Sequence, residues 1–117
     1  MYNFVEMNID GLTRAMHDFV ESQGWYQADS PRPQTPKNLA ISLSIESAEV
    51  LEHVQWAEKP ADRHKLASEL ADVMLYLLQL ASVSGINLEE AVLEKLRINA
   101  GRKWDGEMKT TEEHNEN

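Results

Sequence analysis

Two acidic pairs, Glu46-x-x-Glu49 and Glu69-x-x-Asp72, sit inside segments that are otherwise apolar and helical in period. Residues three apart share one face of a helix, with Cβ atoms roughly 5–6 Å apart, so each pair sets two carboxylates side by side. The first segment has little room for a solvated face. Leu39, Leu43, Val50 and Val54 form one stripe, and Ile41, Ile45 and Ala48 form another. A helix apolar nearly all round is a buried helix. The run Glu69-Leu70-Ala71-Asp72-Val73-Met74-Leu75-Tyr76 embeds the second pair directly among core-type residues. Buried carboxylates are costly unless compensated. The fold has to supply a metal ion, a basic partner or a proton. Oxygen donors alone favour a hard divalent cation, Mg²⁺ or Mn²⁺, over iron or zinc. A di-iron bundle asks for Glu-x-x-His motifs. Here His53 follows Glu49 by four residues, and no His stands at that spacing from Glu69 or Asp72. The pairs therefore point to metal-dependent phosphate chemistry.

Apolar spacing predicts an all-α chain of four helices. Leu12, Ala15, Met16, Phe19 and Val20 mark a first helix over 9–24, with Gly24 as its stop. Residues 25–34 hold Pro31 and Pro33 and read as a long loop. Thr35-Pro36 opens a second helix that runs to about Trp56 or Ala57. The third runs from about Asp62 to Ser84, with Leu66, Leu70, Val73, Leu77 and Leu80 on one face and Gly85 at its end. Asn87-x-x-Glu90 resembles a capping box for the fourth, which carries Leu88, Val92, Leu96 and Asn99 towards Trp104.

The 117 residues make one domain, assigned to 1–104. Residues 105–117 hold five acidic residues against Lys109 and read as an acidic, disordered tail. A net charge of −9 argues against a nucleic-acid polymer or an anionic membrane as partner. It leaves room for a nucleotide, because bound metal ions reverse the local charge. There is no cysteine, hence no disulfide or thiolate metal site. The N-terminus lacks the pattern of a signal peptide, and the apolar stretch Val73 to Val83 is too short to span a bilayer. The expected location is cytoplasmic. Small helical chains often complete their burial by oligomerising.

Lys37-Asn38-Leu39, Glu46-x-x-Glu49, Gln55-Trp56, Glu69-Leu70-Ala71-Asp72, Tyr76 and Lys95-x-x-x-Asn99 occur in that order. The set, spread over residues 10–104, resembles the MazG-like nucleoside triphosphate pyrophosphohydrolases, most of all their small dCTP-pyrophosphatase-type branch. The resemblance implies a four-helix bundle completed by a second subunit, as a homodimer or homotetramer. It implies that Glu46, Glu49, Glu69 and Asp72 hold Mg²⁺ on the triphosphate, with a Glu of the first pair orienting or deprotonating the water that attacks the α-phosphorus. Lys37, Lys95 and Arg102 would contact phosphates, and Asn38 and Asn99 sugar or base. Trp56, Tyr76 and Trp25 would stack on or wall in the base. The implied reaction converts a (deoxy)nucleoside triphosphate, such as dCTP or a modified dNTP, to monophosphate and pyrophosphate, in pool sanitation. Two departures stand out: Ile45 precedes Glu46 where many MazG proteins have a second Glu, and Pro33-Gln34-Thr35-Pro36 offers no His ahead of Lys37-Asn38.

Read without the resemblance, the same acidic pairs also suit a non-catalytic helical interaction module that docks a basic partner, or a structural metal site without turnover. The interaction module does not require the four carboxylates to converge on one cavity. That is the geometric point on which the readings part.

Overall fold

The computed structural model describes residues 7–102, which form four helices and no strands: α1 (Ile9–Ser22), α2 (Pro36–Glu52), α3 (Arg63–Val83) and α4 (Leu88–Ala100). The acidic segment 105–117 and Trp104 lie outside the described residues. Each helix begins on a side-chain cap. Asn8 accepts from Gly11 N, Thr35 from Asn38 N, Asp62 from His64 N and Lys65 N, and Asn87 from Glu90 N. These bonds satisfy amide groups that a helix start otherwise leaves without partners.

Gly24 and Gly85 act as the stops that the sequence predicts. Both have positive φ, 76° and 72°. In each case the next residue's N–H turns back to a carbonyl five residues earlier, Trp25 to Val20 at 3.3 Å and Ile86 to Ala81 at 2.8 Å. This is the Schellman arrangement, which favours glycine at the left-handed position. The second helix departs from expectation: it ends at Glu52, four residues before Trp56. Its last turn tightens through His53 N to Val50 O (3.1 Å) and Val54 N to Leu51 O (3.0 Å). The chain then crosses to α3 without helix, and no glycine or proline in 53–57 announces the change.

The long helix α3 is the spine: α2 packs along it most extensively, α1 less so, and α4 over a small area. Leu39 and Leu78 are the most deeply buried side chains, joined by Met16, Val20 and Ala81. α3 is also long and apolar enough to cross a membrane, with 21 residues and a hydropathy of 1.4, and so exceeds the uninterrupted run Val73 to Val83. Its Glu69 and Asp72 would each cost roughly 3 kcal/mol at a bilayer centre, and α1 and α2 pack against part of its surface. The second apolar stripe of α2 is not covered within one chain, since Ile41 is 49% and Ile45 53% exposed.

Candidate active site

The facing helices α2 and α3 bring Glu46, Glu49 and Glu69 together, with one carboxylate oxygen of each within 4.8 Å of the others. All three are half-buried. Glu46 Oε1 and Glu69 Oε1 are buried without a hydrogen-bond partner. Buried polar atoms rarely stay unpartnered, so these two oxygens call for a proton or a cation. The donors fit a hard divalent ion, because they are carboxylate oxygens with no thiolate or imidazole among the three. Asp72 lies outside the 4.8 Å set, yet its charge reaches both Glu46 and Glu69.

Crowding shows in the protonation. Burial, then the carboxylates of Glu49 and Asp72, push Glu46 up to about 6. Burial and a shared hydrogen bond with Glu49 raise Glu69, while His53 pulls it back. The His53 Nε2 lies 3.9 Å from Glu69 Oε2. That residue carries no role in the sequence reading. Its spacing from Glu49 is legible, but its approach to α3 depends on where α2 ends.

Beside the acidic cluster lies a largely apolar cavity of about 610 Å³ between α1, α2, α3 and the 23–35 loop. Asp72 and Tyr76 line it from α3, Asn38 and Ile41 from α2, and Met16 and Phe19 from α1. Trp25 and Arg32 line it from the loop. The turn at Gly24 sends Trp25 back against Phe19, ring edge to face at 5.7 Å, the apolar contact that often accompanies such a stop. The Arg32 guanidinium covers the Trp25 ring at 5.2 Å.

Of the residues singled out from sequence, Glu46, Glu49 and Glu69 converge, and Asp72, Tyr76, Trp25 and Asn38 line the adjoining cavity. Asn38 Nδ2 also donates to Pro33 O at 3.0 Å and so ties the loop to α2. The others do not line the cavity. Lys37 is exposed in the first turn of α2. Lys95 and Asn99 are on α4, and Arg102 follows it. Trp56, expected on α2, is 88% exposed in the connection beyond it. Sequence reading missed a part-buried polar network: Gln79 bonded to Tyr26 and Gln34, and Tyr26 bonded to His17. Its one sequence signal is Gln79 standing inside the apolar run of α3.

Residues 41–116, spanning both acidic pairs, match the family model described as MazG-like. The chain belongs to the MazG-like family. Similar proteins include the dCTP pyrophosphatase 1 of Homo sapiens, 32% identical over 106 residues, which covers 83% of this chain and 59% of that protein. The dCTP pyrophosphatase 1 of Rattus norvegicus is 31% identical over the same shares. The chain thus spans about three fifths of the length of the curated relatives it matches. Among solved structures, a pyrophosphatase from Archaeoglobus fulgidus aligns with a TM-score of 0.66 and 37% identity, over 80% of this chain and 90% of that one.

Proposed function

We propose that this MazG-like chain hydrolyses a (deoxy)nucleoside triphosphate at the α-phosphate to monophosphate and pyrophosphate, using Mg²⁺ or Mn²⁺. The observation that carries the reading is the convergence of three carboxylates, two with unpartnered buried oxygens, beside a base-sized apolar cavity. The names of the relatives, dCTP pyrophosphatase and pyrophosphatase, support it. An interaction module would not require that convergence.

Glu46, Glu49, Glu69 and Asp72 would hold the cation. When bound, such an ion neutralises triphosphate charge and acts as a Lewis acid at the phosphoryl oxygens. A carboxylate of the first pair, Glu46 or Glu49, accepts a proton from the attacking water as its oxygen bonds to the α-phosphorus. The bond from that phosphorus to the bridging oxygen breaks, and pyrophosphate leaves. The burial and carboxylate crowding that push Glu46 up to about 6 are what a bound cation would offset, keeping the first pair ionised for its work. Trp25 and Tyr76 wall the base, and Asn38 lies at its edge. Lys37, exposed in the first turn of the helix that carries the first pair, would reach phosphate through its long side chain.

The exposed apolar residues Ile45, Leu51, Leu70, Leu93 and Leu96 would be covered by a second copy of the chain, giving a homodimer or homotetramer. Trp56, Lys95, Asn99 and Arg102 take up their substrate contacts in that assembly. The working unit is the domain 1–104, in the cytoplasm, where its substrates are.

Phosphorus NMR of the products in ¹⁸O-labelled water tests the reaction. Monophosphate carrying the label, with unlabelled pyrophosphate, is expected. Nucleoside diphosphate with labelled inorganic phosphate would overturn attack at the α-phosphorus.

A further inference from the structure

Gln79 is buried, only 3% exposed, yet it lines the cavity. Glu69, Asp72, Tyr76 and Gln79 recur at spacings of three and four on one face of α3. Seven residues of helix put Gln79 about 10 Å beyond Asp72 along the axis, comparable to the reach from an α-phosphate across the sugar to a base.

A backbone carbonyl settles which way this amide faces. The Arg32 carbonyl can only accept, and Gln34 Nε2 donates to it at 2.6 Å. Gln34 Oε1 is therefore the atom that meets Gln79, and Gln79 Nε2 donates to it at 2.8 Å. The second N–H of Gln79 goes to the Tyr26 hydroxyl at 3.2 Å. The Tyr26 hydroxyl also lies 2.6 Å from His17 Nδ1, and His17 Nε2 lies 2.7 Å from Ser82 Oγ, so the imidazole bridges the loop tyrosine to α3. Every group in this chain has a role its chemistry allows. Both donors of Gln79 are spent, so what it offers an occupant of the cavity is its carbonyl oxygen, an acceptor.

The geometry points to Gln79 as a specificity-determining residue for the base, held by Gln34 so that the cavity selects a nucleobase bearing an exocyclic amino group over its keto counterpart. This rests on reading the cavity as the base pocket of the proposed reaction. The amino groups of cytosine N4 and adenine N6 donate, whereas the O4 of a keto pyrimidine accepts. A keto base would set two acceptors face to face. Gln79 cannot relieve this by turning over, because its oxygen would then meet Gln34 Oε1. Leaving such a buried acceptor unpaired corresponds to roughly tenfold or more in affinity.

Calorimetric titration of the full chain, with Mg²⁺ present, compares dCMP with dUMP and dAMP with dIMP, pairs that differ in amino against keto. Wild type is expected to bind the amino member of at least one pair roughly tenfold tighter. Gln79→Met should abolish that preference. Gln34→Met, which frees the amide to turn, should weaken it while binding persists. A network that only fastens the loop would weaken both members equally and leave the ratio unchanged, which would overturn the proposal. Wild type with no preference, a keto preference, or no binding to any of the four would also overturn it. Circular dichroism reports folding, and if Gln79→Met does not fold, the loop variant Gln34→Met decides alone. Hydrolysis is followed separately. Base preference without turnover removes the proposed reaction and keeps this assignment, and turnover without base preference does the reverse.

Discussion

Glu46 concentrates the electrostatic tension of this molecule, because it shares its site with Glu49, Glu69 and Asp72. Its carboxyl rises from an ordinary 4.5 to about 6 in the folded chain. The folded state therefore holds the proton more tightly than the unfolded one. The resulting stability is fully present below about 4.5 and is lost as the pH rises through about 6. Glu69 is shifted in the same direction. In EDTA, the melting temperature of the wild type should therefore fall, relative to Glu46→Gln, as pH rises across that window. Parallel pH profiles for the two proteins would contradict it. The acidic pairs were readable because three-residue spacing is local. His17, Tyr26, Gln34 and Gln79 were not, since Gln79 finds its partners 53 and 45 residues away and His17 finds Ser82 across 65.

Helix starts and stops were largely legible, because caps and glycine turns are written within a few residues of one another. Asp62 receives two backbone N–H groups, from His64 at 2.9 Å and Lys65 at 3.2 Å. Asp62→Ala should cost about 1 kcal/mol and lower the melting temperature by about 4–8 °C, with hydrolysis retained. At Gly85 a Cβ would meet no atom within 4 Å, so the cost of Gly85→Ala is backbone strain at its φ of 72° alone. That predicts a loss of about 1–2 kcal/mol by denaturant titration. The end of α2 was not legible. Residues 53–57 lack a local stop, and His53 is drawn towards Glu69 on another helix. Trp56 consequently lies off the helix on which its spacing had placed it.

Across the whole molecule, the all-α architecture follows from apolar period, but the destination of each apolar face does not. Period shows that α2 carries apolar residues beyond one face, without showing what covers them. In the single chain Leu93 is 58% and Leu96 59% exposed, and Leu70 on the spine is 50% exposed. If a second copy covers these faces, light scattering after gel filtration should give a dimer or tetramer mass for wild type. Leu96→Lys should then shift the population towards monomer. A wild-type monomer at high concentration would contradict the assembly.

The central claim is that the carboxylates of α2 and α3 serve one metal-dependent pyrophosphohydrolase site. Pyrophosphate release from a panel of canonical and modified nucleoside triphosphates tests it most directly, run with Mg²⁺, with EDTA and with Glu49→Ala. Release that needs the metal and falls by about a hundredfold or more in a folded Glu49→Ala protein is the predicted result. No release from any triphosphate by folded wild type, or release that survives both EDTA and Glu49→Ala, would contradict it.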